Sequence, residues 1–266
     1  MPHPPHRVGP NWLASARRMR RWPLIASVGL CIPAWVSAAQ DTATALQWVG
    51  QFDAGLAPWT EVLIKPDLPR NIFSTRQWDG VAAAEVVSRA SMSLLARSVR
   101  VDLVATPVLC WQWRIDAALR QSDIKKKAGD DYAARLYVSL ALPDSEKSFG
   151  LRAKLSMARA LWGPQIPDAA INYVWDNRQP VGFESPNAYT DRAMMVVLRS
   201  GDTDAKRWVW ERRNVVQDAA RLFSPLASVV QLAVTADTDN TGETARAGFA
   251  NIHFVGAEQP CQAQPP

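Results

Sequence analysis

Oxygen-bearing side chains are concentrated in the stretch TADTDNTGE, residues 235–243. Asp237 and Asp239 match the first and third ligand positions of a calcium loop, and Gly242 matches its sixth position, where the chain turns sharply. The match then fails, because position twelve is Gly248 where an EF-hand needs a bidentate glutamate, and the flanking residues are typical of strands. The pattern therefore favours a strand-ending turn. A ligand-binding loop, or a calcium site completed by carboxylates from neighbouring loops, remains an alternative.

Two other polar clusters stand at the ends of predicted strands. They are KKKAGDDYAARLYV, residues 125–138, and YVWDNRQPVG, residues 173–182. If predicted strands 132–140, 170–175 and 229–236 share one sheet, their polar ends converge at one edge. The candidate ligand-binding residues are then Asp130, Asp131, Arg135, Trp175, Asp176, Asn177, Asp237, Asp239 and Asn240, and Asp237 and Asp239 are also the candidate metal ligands. The alternative is that these aspartates form Asx-turns or structural ion pairs.

Two pairs of tryptophans, Trp111 with Trp113 and Trp208 with Trp210, are spaced two residues apart. Alternate residues of a strand share a face, so each pair places two indoles side by side. If exposed, such a pair forms a stacking platform for sugar rings; if buried, it belongs to the core, which is the commoner place for tryptophan in a sandwich.

The sequence offers little for catalysis. His253 is the one histidine beyond residue 39, which argues against a Ser-His-Asp triad or a histidine-rich zinc site, and we interpret it as structural. The motifs of serine hydrolases, zinc proteases, P-loop proteins and dinucleotide-binding proteins are missing, so no catalytic residue is assigned. What remains is the carboxylate chemistry of glycosidases, which needs two carboxylates about 5–9 Å apart. Asp131 and Asp237 are the first pair to test.

Residues 1–39 have the features of a secretory signal peptide. Arginines at positions 17, 18, 20 and 21 precede an apolar run over 24–36, and small residues follow, which predicts cleavage near Ala38 or Ala39 and a translation start at Met19. Beyond this leader no stretch approaches the roughly 18 apolar residues of a spanning helix. We therefore expect a periplasmic or secreted protein with no integral membrane segment after cleavage.

The basic charge of the chain belongs to this leader. The chain has 30 basic and 25 acidic residues; five of the basic residues and none of the acidic ones lie in positions 1–39, so the mature part has 25 of each sign. A formally neutral protein lacks the basic surface on which nucleic-acid binding depends. We therefore expect no nucleic-acid partner.

Short runs rich in Val, Ile, Trp and Tyr, separated by turn residues, dominate the mature chain and predict strands. The predicted strands are 46–52, 81–88, 98–102, 108–116, 132–140, 170–175, 193–199, 208–216, 229–236 and 248–255. A helix is predicted over about 148–162, with Leu151, Leu155, Ala158 and Leu161 on one face, and a shorter one over 216–223. Together these elements predict an all-β fold, a two-sheet jelly-roll-like β-sandwich with one inserted α-helix, forming a single domain over 40–266.

Cys110 and Cys261 are the cysteines that remain after leader removal. In an oxidising compartment they can pair, and closing so long a loop contributes about 5 kcal/mol on the chain-entropy model. The alternative is a buried thiol at Cys110 and a tail residue at Cys261.

Six motifs in a fixed order, WQWRID, GDDYAARLYV, INYVWDN, VVLRSG, WVWERRNVVQD and VTADTDNTGE, resemble the bacterial family catalogued as domain of unknown function 3047. The resemblance extends over roughly residues 52–254. It implies a single exported β-rich domain, and it brings no activity, substrate or catalytic residues.

From the residues we favour a non-catalytic periplasmic binding module for a glycan or another envelope polymer, with no cofactor; calcium is the one ion left open. A structural envelope protein without a ligand is the first alternative. A carboxylate-dependent glycoside hydrolase is the second.

Overall fold

The computed structural model describes residues 45–64, 67–163 and 166–263. The predicted signal peptide lies outside these residues. The described chain forms thirteen strands and two α-helices. In chain order they are β1 Leu46–Gly50, β2 Thr60–Val62, β3 Ile72–Trp78, β4 Val81–Arg89, β5 Leu94–Ser98, β6 Val108–Ile115, β7 Tyr132–Ala141, α1 Phe149–Trp162, β8 Ala169–Asp176, β9 Glu184–Asn187, β10 Thr190–Ser200, β11 Val209–Asn214, α2 Val215–Leu222, β12 Ser228–Asp237 and β13 Thr244–Val255.

The strands form two sheets, which confirms the predicted jelly-roll-like sandwich. Sheet A has the order β11-β6-β13-β4-β3, and β1 pairs with the second half of β13. Sheet B has the order β2-β5-β12-β7-β8-β10-β9. Neighbouring strands are antiparallel except β8 and β10, which run parallel. Many neighbouring strands are far apart in the sequence, and β1 pairs with the last strand, β13. Contacts between residues that are distant in sequence therefore dominate the fold.

Alternating side chains of the two sheets meet in one core. Leu136 and Ile171 point inward from sheet B, and Trp111 and Trp113 point inward from sheet A, all with no exposed surface. The ring of Trp111 stacks on Tyr173 with 5.3 Å between ring centroids. A stacking platform at Trp111 and Trp113 is therefore wrong, because both indoles are needed to fill the space between the sheets.

The insertion helix α1 forms where the sequence predicts it. The side chain of Ser148 caps it by accepting a hydrogen bond from the main-chain N–H of Leu151, and the helix ends before Gly163, whose φ is +99°. Leu155 is buried as predicted, but Leu161 is 66% exposed. The predicted apolar face is wrong at that position, because Leu155 faces the protein while Leu161 faces away from it.

The short helix α2 brings a buried carboxylate against the core. Asp218 accepts hydrogen bonds from the Tyr173 hydroxyl at 2.7 Å, from Arg213 at 2.7 and 2.9 Å, and from Arg221 at 2.7 Å. Burial alone would raise the pKa of Asp218, but these hydrogen bonds outweigh burial and lower the pKa below its usual 3.8. Asp218 therefore joins α2 to β8 and β11.

Strand prediction fails where a strand is short or exposed. The predicted strand 98–102 is wrong: the strand is β5, which ends at Ser98. β2, β3 and β9 were not predicted. β3 has the sequence IFSTRQW and is largely exposed, so it lacks the apolar alternation by which half-buried strands are recognised.

The structure joins Cys110 on β6 to Cys261 by a disulfide, with 5.6 Å between the Cα atoms. The tail is also held by the ring of His253, whose Nε2 accepts a hydrogen bond from the main-chain N–H of Gln262 at 3.0 Å. The ring Nδ1 lies 2.7 Å from the carbonyl oxygen of Asn251 and carries the proton in this network. In the described part of the chain, no helix has the length and apolar character needed to cross a bilayer.

Candidate functional site

The polar strand ends converge at one end of sheet B. β7 lies between β12 and β8 and runs antiparallel to both, so the start of β7 meets the ends of its two neighbours. Asp237 is opposite Tyr132 in this register, and Trp175 is opposite Ala134. The clusters around Asp131, Asp176 and Asp237 are therefore brought to the same edge, as the sequence predicts.

Three carboxylates meet at this edge. Asp131, Asp237 and Asp239 each offer one oxygen atom, and these atoms all lie within 4.8 Å of one another. Asp131 is fully buried, Asp237 is 2% exposed, and Asp239 is half-buried. Carboxylates that close in a low-dielectric setting repel one another unless a proton or a cation lies between them.

Arg135, on β7, is the counter-charge that contacts this cluster. Its Nη1 donates to Asp237 Oδ2 at 3.2 Å and its Nε donates to Asn172 Oδ1 at 3.3 Å. The guanidinium also lies over two tyrosine rings, 4.3 Å from the centroid of Tyr137 and 5.1 Å from that of Tyr132. Arg135 is 5% exposed, so the ion pair with Asp237 is a buried one.

Two buried polar atoms beside Arg135 have no hydrogen-bond partner among the described residues. They are the amide Nδ2 of Asn172, a donor, and the carboxylate Oδ1 of Asp237, an acceptor. Native structures leave few such atoms, and each one points to a water, an ion or a ligand. Burial strongly raises the pKa of Asp237; the Arg135 charge opposes this effect, and the Asp239 and Asp131 carboxylates reinforce it.

Asp131 also holds the loop that follows β12. Its carboxylate accepts the main-chain N–H groups of Asn240 at 3.3 Å and of Thr241 at 2.7 Å, and the side-chain Nδ2 of Asn240 at 3.0 Å. These bonds hold the loop between β12 and β13, which links the two sheets. The loop therefore cannot move independently of the start of β7.

The same loop is fixed from the core side by buried hydroxyl groups. Thr238 Oγ1 lies 2.6 Å from Ser88 Oγ on β4, and Asn71 Nδ2 donates to Thr235 Oγ1 at 2.9 Å and to the Ala236 carbonyl at 2.7 Å. Since every member of this network is bonded, the end of β12 has one position.

Asn187 and Tyr189 complete the site and were not predicted from the sequence. Asn187 Nδ2 donates to Asp130 Oδ2 at 2.7 Å. The Tyr189 hydroxyl contacts the carbonyl of Lys127 at 3.1 Å and Oδ1 of Asn240 at 3.0 Å, while the residue stays 50% exposed. Both residues lie in ESPNAYT, a segment with no strand periodicity, and the β9–β10 hairpin that brings them here is visible only in the fold.

The second predicted cluster is held mainly by contacts within the fold. Trp175 is 1% exposed, packs on Trp113, and donates its Nε1 hydrogen to the Gly201 carbonyl, so this candidate belongs to the core. Asp176 accepts the main-chain N–H groups of Arg178 and Gln179, both at 2.6 Å, which is an Asx-turn. Asn177 Nδ2 donates to the Ser122 carbonyl at 3.1 Å. Burial and these bonds give Trp175 and Asp176 structural contacts, whereas Asn177, whose Oδ1 is buried without a hydrogen-bond partner among the described residues, stays a predicted ligand contact.

The spacing of the carboxylates bears on the reactions that this edge can support. Retaining glycosidases hold their two carboxyl groups about 5–5.5 Å apart and inverting ones about 6.5–9.5 Å apart, to leave room for the sugar or a water. The nearest oxygens of Asp131 and Asp237 lie within 4.8 Å, and both residues are buried. This geometry suits a shared proton or a bound cation better than an acid–base pair acting on a sugar.

Solved structures with low similarity to this chain include a carbohydrate-binding module and a cellulase. One is the family 30 carbohydrate-binding module of a cellulosomal cellulase, Cel9D-Cel44B, of Clostridium thermocellum, with 9% identity and a TM-score of 0.34 over 81% of this chain and 95% of that one. The other is a meso-active thermo-stable cellulase derived from Cel12A of Rhodothermus marinus, with 10% identity and a TM-score of 0.34 over 73% of this chain and 94% of that one.

No curated protein matches the sequence. A family model does, over residues 57–253, which include β2 to β12 and most of β13. The model is described as "Protein of unknown function (DUF3047)". The chain is therefore a member of the DUF3047 family.

Proposed function

We propose that this protein is an exported, non-catalytic binding protein for a glycan or another envelope polymer, and that the ligand binds at the acidic end of sheet B. The observation that carries the proposal is the ring of Tyr189, which is half-exposed, yet its hydroxyl hydrogen lies between two acceptors, the Lys127 carbonyl and Asn240 Oδ1, on the loops that carry the aspartates. A fixed aromatic ring beside polar groups is suited to a ligand with an apolar face and many hydroxyl groups.

The polar groups around the ring supply the complementary part of such a site. Asn240, Asp239 and Thr241 are half-buried, Asn240 is bonded to the Tyr189 hydroxyl, and the three side chains carry amide, carboxylate and hydroxyl oxygens at this part of the site. Because Asp131 and Tyr189 bond this loop directly, its side chains are ordered before a ligand arrives, and less entropy is lost on binding.

Export is supported by the N-terminal pattern of residues 1–39 and by the disulfide between Cys110 and Cys261. Disulfides form and persist in the periplasm and outside the cell, and they are rare in the cytosol. Periplasmic or secreted localisation therefore remains our proposal for the compartment.

The test is a binding screen of the purified protein against envelope glycans, followed by titration of any ligand by calorimetry. Tyr189→Ala should lower the affinity about three- to tenfold, the value of one aromatic contact, while Tyr189→Phe keeps the ring and most of the binding. Phe149→Ala removes another exposed aromatic residue, on α1 and 87% exposed against 50% for Tyr189, and is the control for glycan affinity. Equal affinity of Tyr189→Ala and the unaltered protein, or no glycan ligand at all, refutes the proposal.

A structural envelope protein is the second candidate, and one specific observation favours it. Asp131 and Arg135 satisfy main-chain and side-chain groups of their own fold, as turn and ion-pair residues do. In that case Asp131→Asn lowers the melting temperature and changes no binding. A variant that loses glycan affinity while keeping its melting temperature argues against this candidate.

A further inference from the structure

We infer that Asp131, Asp237 and Asp239 bind a divalent cation, with Ca²⁺ as the fitting ion. Oxygens that coordinate one Ca²⁺ at about 2.3–2.6 Å lie no more than about 5 Å apart. The three carboxylate oxygens lie within 4.8 Å of one another and meet that limit without rearrangement. The inference needs no glycan, and it stands whether or not the proposed function is correct.

The second observation is independent of the spacing. Asp237 is 2% exposed, and its Oδ1 accepts no hydrogen bond from any described residue, although Oδ2 is bonded to Arg135. A buried carboxylate oxygen without a donor is costly unless it faces a proton or a cation. Asp131 and Asp239 stand around this carboxylate, so a cation placed there contacts all three groups at once.

The charge at this end of the sheet is also out of balance. Asp130, Asp131, Asp237 and Asp239 are buried or half-buried, and within the described ranges the one ion pair formed by any of them is that of Asp237 with Arg135. Hydrogen bonds from neutral groups satisfy Asp130 and Asp131 without cancelling their charge. A divalent cation would neutralise most of this excess negative charge.

The donor set selects the class of ion. Three carboxylates with neighbouring amide and hydroxyl oxygens suit hard cations, and Ca²⁺ accepts six to eight oxygen ligands with flexible geometry, several of them from water. The cluster contains neither cysteine nor histidine, which zinc and copper prefer. Mg²⁺ needs a tighter octahedron, so we expect it to bind more weakly.

The test uses the purified protein after treatment with EDTA and titrates it with Ca²⁺ alone, by calorimetry and by thermal unfolding. We expect one Ca²⁺ per chain. At a concentration 100-fold above Kd the unfolding equilibrium constant falls about 100-fold, which raises the melting temperature by about 5–10 °C. Tb³⁺, which replaces Ca²⁺ in such sites, should show luminescence sensitised by the tyrosines around the cluster.

Two variants separate this site from other carboxylates. Asp239→Asn removes one charge from the half-buried member and leaves the bonds of Asp131 intact, so Ca²⁺ affinity should fall at least tenfold. Asp144→Asn is the control, because its side chain is 85% exposed and it follows the opposite end of β7. Should Asp239→Asn fail to fold, the Ca²⁺ titration of the unaltered protein decides alone.

Three results overturn the inference. The first is the absence of Ca²⁺ uptake by the unaltered protein, and the second is equal uptake by Asp239→Asn. The third is a higher melting temperature of Asp239→Asn in EDTA together with no response of the unaltered protein to Ca²⁺, which identifies a proton shared between Asp237 and Asp239 instead.

A different part of the molecule carries a second inference: the geometry points to α1 as a membrane-surface helix. Phe149, Met157 and Leu161 are 87%, 67% and 66% exposed. At about 100° per residue they fall, with the exposed Ala153 and Ala160, within an arc of about 120° on the side away from Leu155. The helix therefore has an apolar stripe that its own sheet does not cover.

Charge identifies the surface that this stripe suits. Arg152 and Lys154 are exposed on either side of it, and α1 contains no acidic residue. Arg159 is the remaining basic residue and pairs with Asp168. Apolar residues flanked by basic ones are the pattern of helices that lie in the headgroup region of anionic bilayers.

Cosedimentation with vesicles tests this inference. We expect binding to vesicles of phosphatidylglycerol and phosphatidylethanolamine, weaker binding in high salt or to phosphatidylcholine, and a loss of at least tenfold in the double variant Met157→Ser with Leu161→Ser. Val181→Ser, at a residue 65% exposed, is the control. No binding to anionic vesicles overturns the inference, as does self-association that the double variant abolishes, which assigns the stripe to a second copy of the chain.

Discussion

Replacing Cys261 with serine tests how far the disulfide stabilises the sandwich. Cys261 is preferable to its partner because Cys110 is completely buried, and a polar atom there would disturb the packing of β6. The disulfide closes a loop with a sequence separation of 151 residues. On the chain-entropy model, the closure removes about 17 cal/mol/K from the unfolded chain, which is about 5 kcal/mol at 25 °C.

The assay is urea unfolding of the oxidised protein and of Cys261→Ser, each with and without reductant. We expect the variant to lose about 3–5 kcal/mol of unfolding free energy, with a melting temperature lower by about 10–15 °C. Reductant should shift the unaltered protein to the midpoint of the variant and leave the variant unchanged.

Coincident midpoints of the oxidised protein and the variant would refute the reasoning. So would alkylation of two thiols in the unreduced, denatured protein, because the bond would then not form in solution. A variant with a lower midpoint that still responds to reductant would place the effect elsewhere, since no second disulfide links the described residues.

Three further predictions concern buried groups. Asp218→Asn should lower the free energy of unfolding by about 3–5 kcal/mol at pH 7 and flatten its pH dependence below about pH 4. The reason is that a carboxyl with a lowered folded pKa contributes stability above its unfolded pKa and loses it as the pH falls through the folded pKa. Urea midpoints from pH 2 to 7 measure this. Burial lowers the pKa of His253, and the Asn251 carbonyl opposes this effect. The stability that His253 contributes is therefore present above its unfolded pKa of about 6.5 and declines below that pH. His253→Gln should remove this decline, and an unchanged pH profile would contradict the argument. Gly248→Ala should lower the free energy of unfolding by about 1–3 kcal/mol, because a Cβ there lies 2.9 Å from Trp208. At Gly150 an added Cβ meets nothing within 4 Å, so Gly150→Ala should be neutral or stabilising in the same unfolding assay.

The sequence predicts this fold well where burial gives a strand or helix its pattern. β6, β7, β8 and β12 are recognisable because apolar side chains alternate or run continuously between turn residues. Helix α1 is predicted to within one residue at its start, because Ser148 is a capping residue before a helical period. Strands such as β3, with exposed polar side chains, take their conformation from pairing with β4, which a single strand sequence does not encode.

The site is predicted in part for a related reason. Asp131 and Asp237 converge once β7 is placed between β12 and β8, so the hypothesis that these three strands share one sheet is sufficient to predict their convergence. Tyr189 and Asn187 were missed because a hairpin on the far side of β10 carries them back over the start of β7. Trp175 was misplaced because alternation tells which residues share a face but not which face is inside.

Strand β7 runs from the acidic site towards the segment that leads to α1. The strand starts at Tyr132 beside the carboxylates and ends at Ala141, a few residues before the helix, and its ten residues span about 30 Å. β1 starts opposite Val255, at the end of β13 remote from the acidic loop, so both ends of the described chain leave the sandwich far from that loop. A molecule attached to a sensor surface near the end of β13 would present the carboxylate edge away from its support.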